Sequence, residues 1–241
     1  MLFLVFSFFL AAVACPLLER VAGRRSGLIL AAVPALASVW LLGNLGAVGG
    51  GGSLIQTLQW QPALGISLSF ALDGLSLMMA LLVCGIGAFI LIYARTYLHG
   101  DPRVGKFLCY LMVFMGAMVG LVLADNIVLL FVFWELTSVS SYLLIGYNHD
   151  SEAVRKKALQ ALLVTGFGAG AMLAGLLVMG NETGTLSLQQ MLADGQRIDS
   201  AWVAALVLLG VMTKSALVPF HFWLPNAMAA PTPVSAFLHS A

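Results

Sequence analysis

Residues Asn126–Tyr147 read NIVLLFVFWELTSVSSYLLIGY, and Trp202–Pro219 read WVAALVLLGVMTKSALVP. Both are long enough to cross a hydrocarbon layer as helices, which takes about 17–25 mostly apolar residues. Each carries one charge deep in the run, Glu135 in the first and Lys214 in the second. An ionised group at mid-bilayer costs several kcal/mol, so it persists where it faces protein or water. Two such groups in one chain point to ion movement through a membrane.

The composition agrees with a bilayer as solvent. Hydrophobic residues make up 61% of the 241-residue chain and charged residues 9%, against roughly 25% charged in soluble domains. The net charge of +1 gives no electrostatic case for a nucleic-acid partner. Working outward from the two charged runs, seven spans emerge: Leu2–Leu18, Gly27–Asn44, Leu75–Tyr93, Phe107–Ala124, Asn126–Tyr147, Ala158–Gly180 and Trp202–Val218. An eighth starts near Pro233 and has nine residues before Ala241, roughly 14 Å of helix, half a bilayer. The expectation is an all-α polytopic membrane protein with the seventh span broken, read as a fragment of a longer one.

Lys and Arg mark the cytoplasmic loops. Arg20, Arg24 and Arg25 lie in the first loop, Arg95, Arg103 and Lys106 in the third, and Arg155, Lys156 and Lys157 in the fifth. The second loop has none, and the sixth has Arg197 against Glu182, Asp194 and Asp199. Odd loops are therefore expected inside and the N-terminus outside. No Lys or Arg precedes Glu19, so the positive region of a signal peptide is missing and Leu2–Leu18 counts as the first span despite Ala12-Val13-Ala14-Cys15. The second loop, Leu45–Asp73, opens with Gly49–Gly52, alternates around Ile55, Thr57 and Gln59 and again around Ile66, Leu68 and Phe70, and is punctuated by Pro62 and Gly65. That pattern predicts a short external β-hairpin between spans 2 and 3.

Cys15, Cys84 and Cys109 lie in apolar spans without metal-ligand spacing, and read as packing residues. No GxGxxG, P-loop, CxxC or HExxH pattern occurs, so no cofactor is expected and no metal-ligand set is named. Asp73 and Asp125 precede spans 3 and 5, where each carboxylate suits a helix N-terminus. Arg155, Lys156 and Lys157, with Asp150 and Glu152, read as a solvated loop.

Glu135 lies nine residues past Asn126, roughly 14 Å into the layer. Thr137, Ser138, Ser140 and Ser141 make part of the same helix polar, either as packing hydroxyls or, for Thr137 and Ser138, as accessory ligands. Lys214 lies twelve residues past Trp202, roughly 18 Å from the same side. A long Lys stem can snorkel to an interface, but Pro219 follows five residues later and breaks a helix. Broken backbone at membrane depth is tolerated beside a cavity or packed protein, which suits an exchangeable proton site. His239, six residues past Pro233, is a candidate relay because histidine titrates near neutrality. His221 reads as an interfacial packing residue, with a relay as its alternative.

Lys214-Ser215-Ala216, Pro219–Met228 (PFHFWLPNAM), Ala230–Ala236 (APTPVSA) and His239-Ser240-Ala241 resemble the antiporter-like subunits shared by complex I and Mrp-type cation/proton antiporters. Phe133-Trp134-Glu135-Leu136 and Leu72-Asp73-Gly74-Leu75-Ser76 match the same family in order. Complex I subunits usually carry an Asp and a Glu-Gly pair where this chain reads Asn226-Ala227-Met228-Ala229-Ala230, a version similar to the Mrp A subunit. The resemblance implies inverted five-helix repeats around half-membrane channels, with Glu135 and Lys214 as a switchable pair and His239 next along the path. It implies no enzyme but a secondary transporter subunit in a bacterial-type plasma membrane, exchanging protons for a cation, Na⁺ expected, with other membrane subunits and lipid as partners. Residues 1–106 would hold spans 1–3 and the hairpin, and residues 107–241 a truncated first repeat. A redox-driven pump subunit of complex I or hydrogenase type and a passive scaffold subunit are the alternatives.

Overall fold

A computed structural model of the chain describes residues 1–195, 198 and 200–240. Arg197 and Asp199 of the sixth loop and Ala241 lie outside the described residues, as does the Arg24 side chain. Six of the described helices are long and apolar enough to cross a membrane: α1 (Leu2–Ala22), α2 (Ser26–Gly43), α4 (Gly74–Tyr97), α5 (Val104–Leu123), α6 (Ile127–Ile145) and α7 (Glu152–Thr183). The shorter helices are α3 (Leu45–Val48), α8 (Leu188–Ala193), α9 (Ala201–Lys214), α10 (Trp223–Ala227) and α11 (Thr232–Ser240). Strands β1 (Leu54–Gln61) and β2 (Ile66–Leu72) form an antiparallel hairpin in which Thr57 faces Ser69.

α5 lies at the centre of the larger core, with Phe107, Leu111, Met112 and Met115 fully buried. α1 and α6 pack along it, α4 joins it to α2, and α9 lies along α7. Between membrane helices, lipid-like packing removes the hydrophobic driving force, so close approach matters more than apolar area. The α7–α9 seam follows this rule. A side chain at Gly168 would overlap Thr213, and one at Gly210 would meet Met172.

The Arg155–Lys157 run is not a loop, because α7 begins at Glu152 and carries it on its first turns. No breaker separates Glu152 from Ala158, Glu152 favours a helix N-terminus, and Lys156 pairs with it at 2.7 Å on the surface. A 32-residue helix is roughly 48 Å long, enough to stand clear of a ~30 Å hydrocarbon layer. Asp125 also departs from its expected place. Asn126 caps α6 instead, accepting from Val128 and Leu129 N–H.

Asp125 is buried and accepts hydrogen bonds from Ser69, from Ser187 and from the Gln189 backbone N–H at 2.8–3.1 Å. It thereby ties β2 to the start of α8 across the turn between α5 and α6. Asp73 does cap its helix, in a reciprocal box with Ser76. Burial alone would raise the Asp73 carboxyl, but bonds from Ser76 and the Gln189 side chain outweigh it and hold it below the ordinary value.

Candidate functional site

α6 makes its own hydroxyls compatible with a packed interior. Thr137 and Ser138 both donate back to the Trp134 carbonyl, at 2.7 and 3.3 Å, and Ser140 donates to Leu136 O at 2.6 Å. All three hydroxyl side chains are buried. A hydroxyl that donates still has lone pairs to offer, and here a cation uses them.

The cation is Lys214, the last residue of α9. Its Nζ donates to Thr137 Oγ1 and Ser138 Oγ, each at 2.7 Å, and to Trp134 O at 3.3 Å. An ammonium has three donors, and all three find oxygen. The Trp134 ring adds a face 5.5 Å from Nζ, within cation–π range. The position at a helix C-terminus is also favourable for a positive charge.

The backbone that stops α9 here is satisfied elsewhere. Ser215 and Leu217 N–H bond back to Val211 and Met212, and Ala216 takes a left-handed conformation. The Trp223 indole N–H donates to Thr213 O at 2.9 Å, a carbonyl that the ended helix supplies with only a long 3.4 Å bond from Ala216 N–H. Asn226 on α10 donates to Gln160 of α7 at 2.8 Å. Chain beyond the break therefore stays folded against the bundle through the short helix α10 rather than as a continuation of α9.

Glu135 is half-buried on α6, the residue after the carbonyl that holds Lys214. No ion pair joins it to Lys214 among the described residues, whose ion pairs lie elsewhere. Its Oε1 is buried without a hydrogen-bond partner among the described residues, and so is the Trp134 indole Nε1. Buried polar atoms of this kind call for a partner such as water or an ion. Glu135, Thr137, Ser138 and Lys214 thus come together, with the lysine seated on the hydroxyls rather than on the carboxylate. His221, in a 3₁₀ turn at Phe220–Phe222, and His239 on α11 are exposed, and neither ring makes a hydrogen bond among the described residues. α11 is anchored through Phe237, packed edge-on against Phe114 at 5.5 Å.

In the sequence, Trp134 and Trp223 stand out only as members of the Phe133–Leu136 and Pro219–Met228 motifs. Trp134 supplies a carbonyl, a ring face and an orphan N–H at the site, and its adjacency to a membrane carboxylate was the available signal. Trp223 showed none, because its partner is a carbonyl freed by a break in another segment.

The family described as NADH:quinone oxidoreductase/Mrp antiporter, TM, matches residues 124–241, and the complex I chain 5 N-terminus family matches residues 60–108. The Na(+)/H(+) antiporter subunit A1 of Staphylococcus haemolyticus is 41% identical over 213 residues, covering 87% of this chain and 26% of the relative. The chain belongs to the antiporter-like subunit family. The Staphylococcus aureus antiporter subunit A1 is 39% identical over 235 residues, covering 95% of this chain and 29% of that one. A chain of the Mrp complex from Dietzia sp. DQ12-45-1b superposes with a TM-score of 0.89 at 34% identity, over 99% of this chain and 26% of its own length. An archaeal membrane-bound sulfane sulfur reductase shares the fold, with a TM-score of 0.79 at 21% identity. This antiporter-like subunit is a multi-pass membrane protein, and its sequence spans about a quarter of the length of the relatives it matches.

Proposed function

We propose that this chain contributes a proton-translocating repeat to a multisubunit cation/proton antiporter, with Na⁺ as the exchanged cation. It acts as a transporter component rather than an enzyme, in a bacterial plasma membrane beside other membrane subunits. Its N-terminus and hairpin face outward, and residues 107–241 form the repeat. The observation that carries this reading is the lodging of the Lys214 ammonium on α6, beside a Glu135 oxygen that has no partner among the described residues.

Two resting places for one proton-bearing group lie close together. On the hydroxyls, Lys214 is held by neutral oxygens. On Glu135 it would gain a full opposite charge, and a charge pair in low dielectric is far stronger than in water. A third charge approaching along the membrane, such as an incoming cation near Glu135, biases the lysine towards the hydroxyls, from which it can discharge its proton into water along the α9 break. Retreat of that cation restores the pair and draws a proton back in. Binding of cation and of proton are then mutually exclusive, which is the requirement for exchange. His239 takes the proton onward, and His221 stands at the interface as an accessory group.

The experiment uses full-length, assembled protein in membrane vesicles. Glu135→Gln keeps the shape, removes the charge and should drop cation-dependent proton exchange to near background with assembly intact. Glu135→Asp should retain part of it. Lys214→Arg should also fail, because guanidinium stays protonated. Wild-type exchange in the Gln and Arg variants at normal expression would defeat the proposal.

A further inference from the structure

At the end of the bundle formed by the start of α5, the end of α6 and the start of α7, a cleft of about 150 Å³ is lined by Arg103, Lys106, Tyr110, Tyr142, His149 and Arg155. Every fully charged side chain in the lining is positive. Asp101 and Asp150, which pair with Arg103 at 3.6 and 3.1 Å, are not part of the lining, and the Asp150 side chain is exposed. Arg103 is held in place by those pairs and by the Tyr147 ring, 5.2 Å from its guanidinium carbon. Asp150 also lies 3.7 Å from His149. Arg155 spends one terminal nitrogen on the His149 and Asp150 carbonyls, which leaves its remaining donors for the cleft. Lys106 is exposed, lies 5.6 Å from the Tyr110 ring centroid and has no ion pair among the described residues.

We propose that this cleft binds a phosphate anion, and that the group bound is the head-group phosphate of an anionic glycerophospholipid. Arg fits phosphate oxygens through its planar fork, Lys106 adds a mobile charge, and the tyrosine hydroxyls supply neutral donors. The volume is about five times a water's share of the liquid, enough for a phosphate and its ester carbons. The site lies at the ends of the apolar helices α5, α6 and α7, where the head groups of a bilayer around them would stand. Beside it, α7 presents Leu159 and Leu163 at 46% and 62% exposure, an apolar track for an acyl chain. Basic clefts between helices at this level suit anionic lipid. The site is independent of the Glu135–Lys214 machinery.

The test is native mass spectrometry of the full-length subunit in its assembled, delipidated complex, titrated with phosphatidylglycerol, phosphatidylcholine and inorganic phosphate. Wild type should bind phosphatidylglycerol in preference to phosphatidylcholine. Lys106→Gln should weaken that binding roughly fivefold and Lys106→Gln with Arg155→Gln roughly thirtyfold, while Lys106→Arg keeps it. Both substituted side chains are exposed, so assembly should persist. Binding of inorganic phosphate but not phosphatidylglycerol, lost in the same variants, would keep the phosphate site and overturn its lipid source. Equal binding of both ligands in wild type and the double variant, or binding of neither by wild type, would overturn the site itself.

Discussion

Lys214 reaches two hydroxyls and one carbonyl of α6, and none of these oxygens carries a charge. Hydrogen bonds from a charged donor are worth about 1.5–3 kcal/mol each. Thr137→Val removes one acceptor at nearly constant shape and is expected to slow exchange about tenfold or more, while Thr137→Ser retains most of it. The measurement is cation-dependent proton exchange in vesicles at matched expression, and equal rates in the Val variant would separate the hydroxyl from the transport step. At the opposite functional extreme stands Asp101, in the turn between α4 and α5. Burial would raise its carboxyl, but the Arg103 backbone N–H, the Tyr147 hydroxyl and the Arg103 charge outweigh it and hold it below 3.8. A carboxyl depressed in the folded state stabilises above its unfolded value and loses that contribution as pH falls through the folded one. Asp101→Asn should therefore cost about 1–2 kcal/mol at pH 6. The gap in melting temperature between variant and wild type should close as pH falls below about 3.8. A gap that widens in acid would reverse the assignment.

Among elements, the pair α7 and α9 positions the lysine. Gly168 faces the Thr213 side chain so closely that a Cβ would overlap it, whereas a Cβ at Gly170 meets none of the described residues within 4 Å. Overpacking typically costs about 1–3 kcal/mol, and here the strain falls on the residue next to Lys214. Gly168→Ala is expected to cut exchange at least about fivefold, and Gly170→Ala to leave it within about twofold. Comparable activity in the two variants would show that the seam does not set the lysine. The break after Lys214 was legible in outline, since Pro219 forbids regular helix, yet helix ends earlier than proline alone demands. The Trp223 indole on Thr213 O and the Ser215–Leu217 turn make the early end affordable, and a one-dimensional pattern does not contain them. The same limit explains Asp125. Its residue type and position suit a cap, but Asn126 next to it does the capping, and Ser69 and Ser187, distant in sequence, claim the carboxylate.

At the scale of the molecule, one end of the bundle collects the hairpin, Asn181 and Leu186, and the other collects Arg103, His149 and Asp150. With the basic end inside, cysteines placed at Gly51 and Asn181 in a Cys-free background should react with an impermeant thiol reagent from outside, and those at Arg103 and Ser151 should not. The reverse labelling would invert the orientation. Near the basic end, Arg95 of α4 pairs with Glu19 of α1 at 3.1 Å, with side chains 13% and 23% exposed. Ser26 also donates to Glu19. Removing one partner of a largely buried pair leaves an uncompensated charge, at about 3–5 kcal/mol when burial is complete. Arg95→Ala should thus lower the melting temperature of the assembled protein more than Glu19→Gln with Arg95→Ala together. If the double variant is the less stable, Glu19 stabilises through Ser26 without Arg95, and its charge is not left uncompensated.

Hydropathy and two misplaced ionisable residues were enough to read a polytopic helical protein, its hairpin and the neighbourhood of the candidate site. That information is local: a span needs only consecutive apolar residues, because every backbone bond in a membrane helix closes within the segment. Which oxygens receive Lys214 was decided only by tertiary structure. Thr137 and Ser138 lie 77 and 76 residues away in the chain, and they meet the lysine only because separate helices pack side by side. Side-chain contact between segments follows from packing geometry, which no periodicity encodes, so the lysine's seat on neutral hydroxyls rather than on Glu135 came from the folded bundle alone.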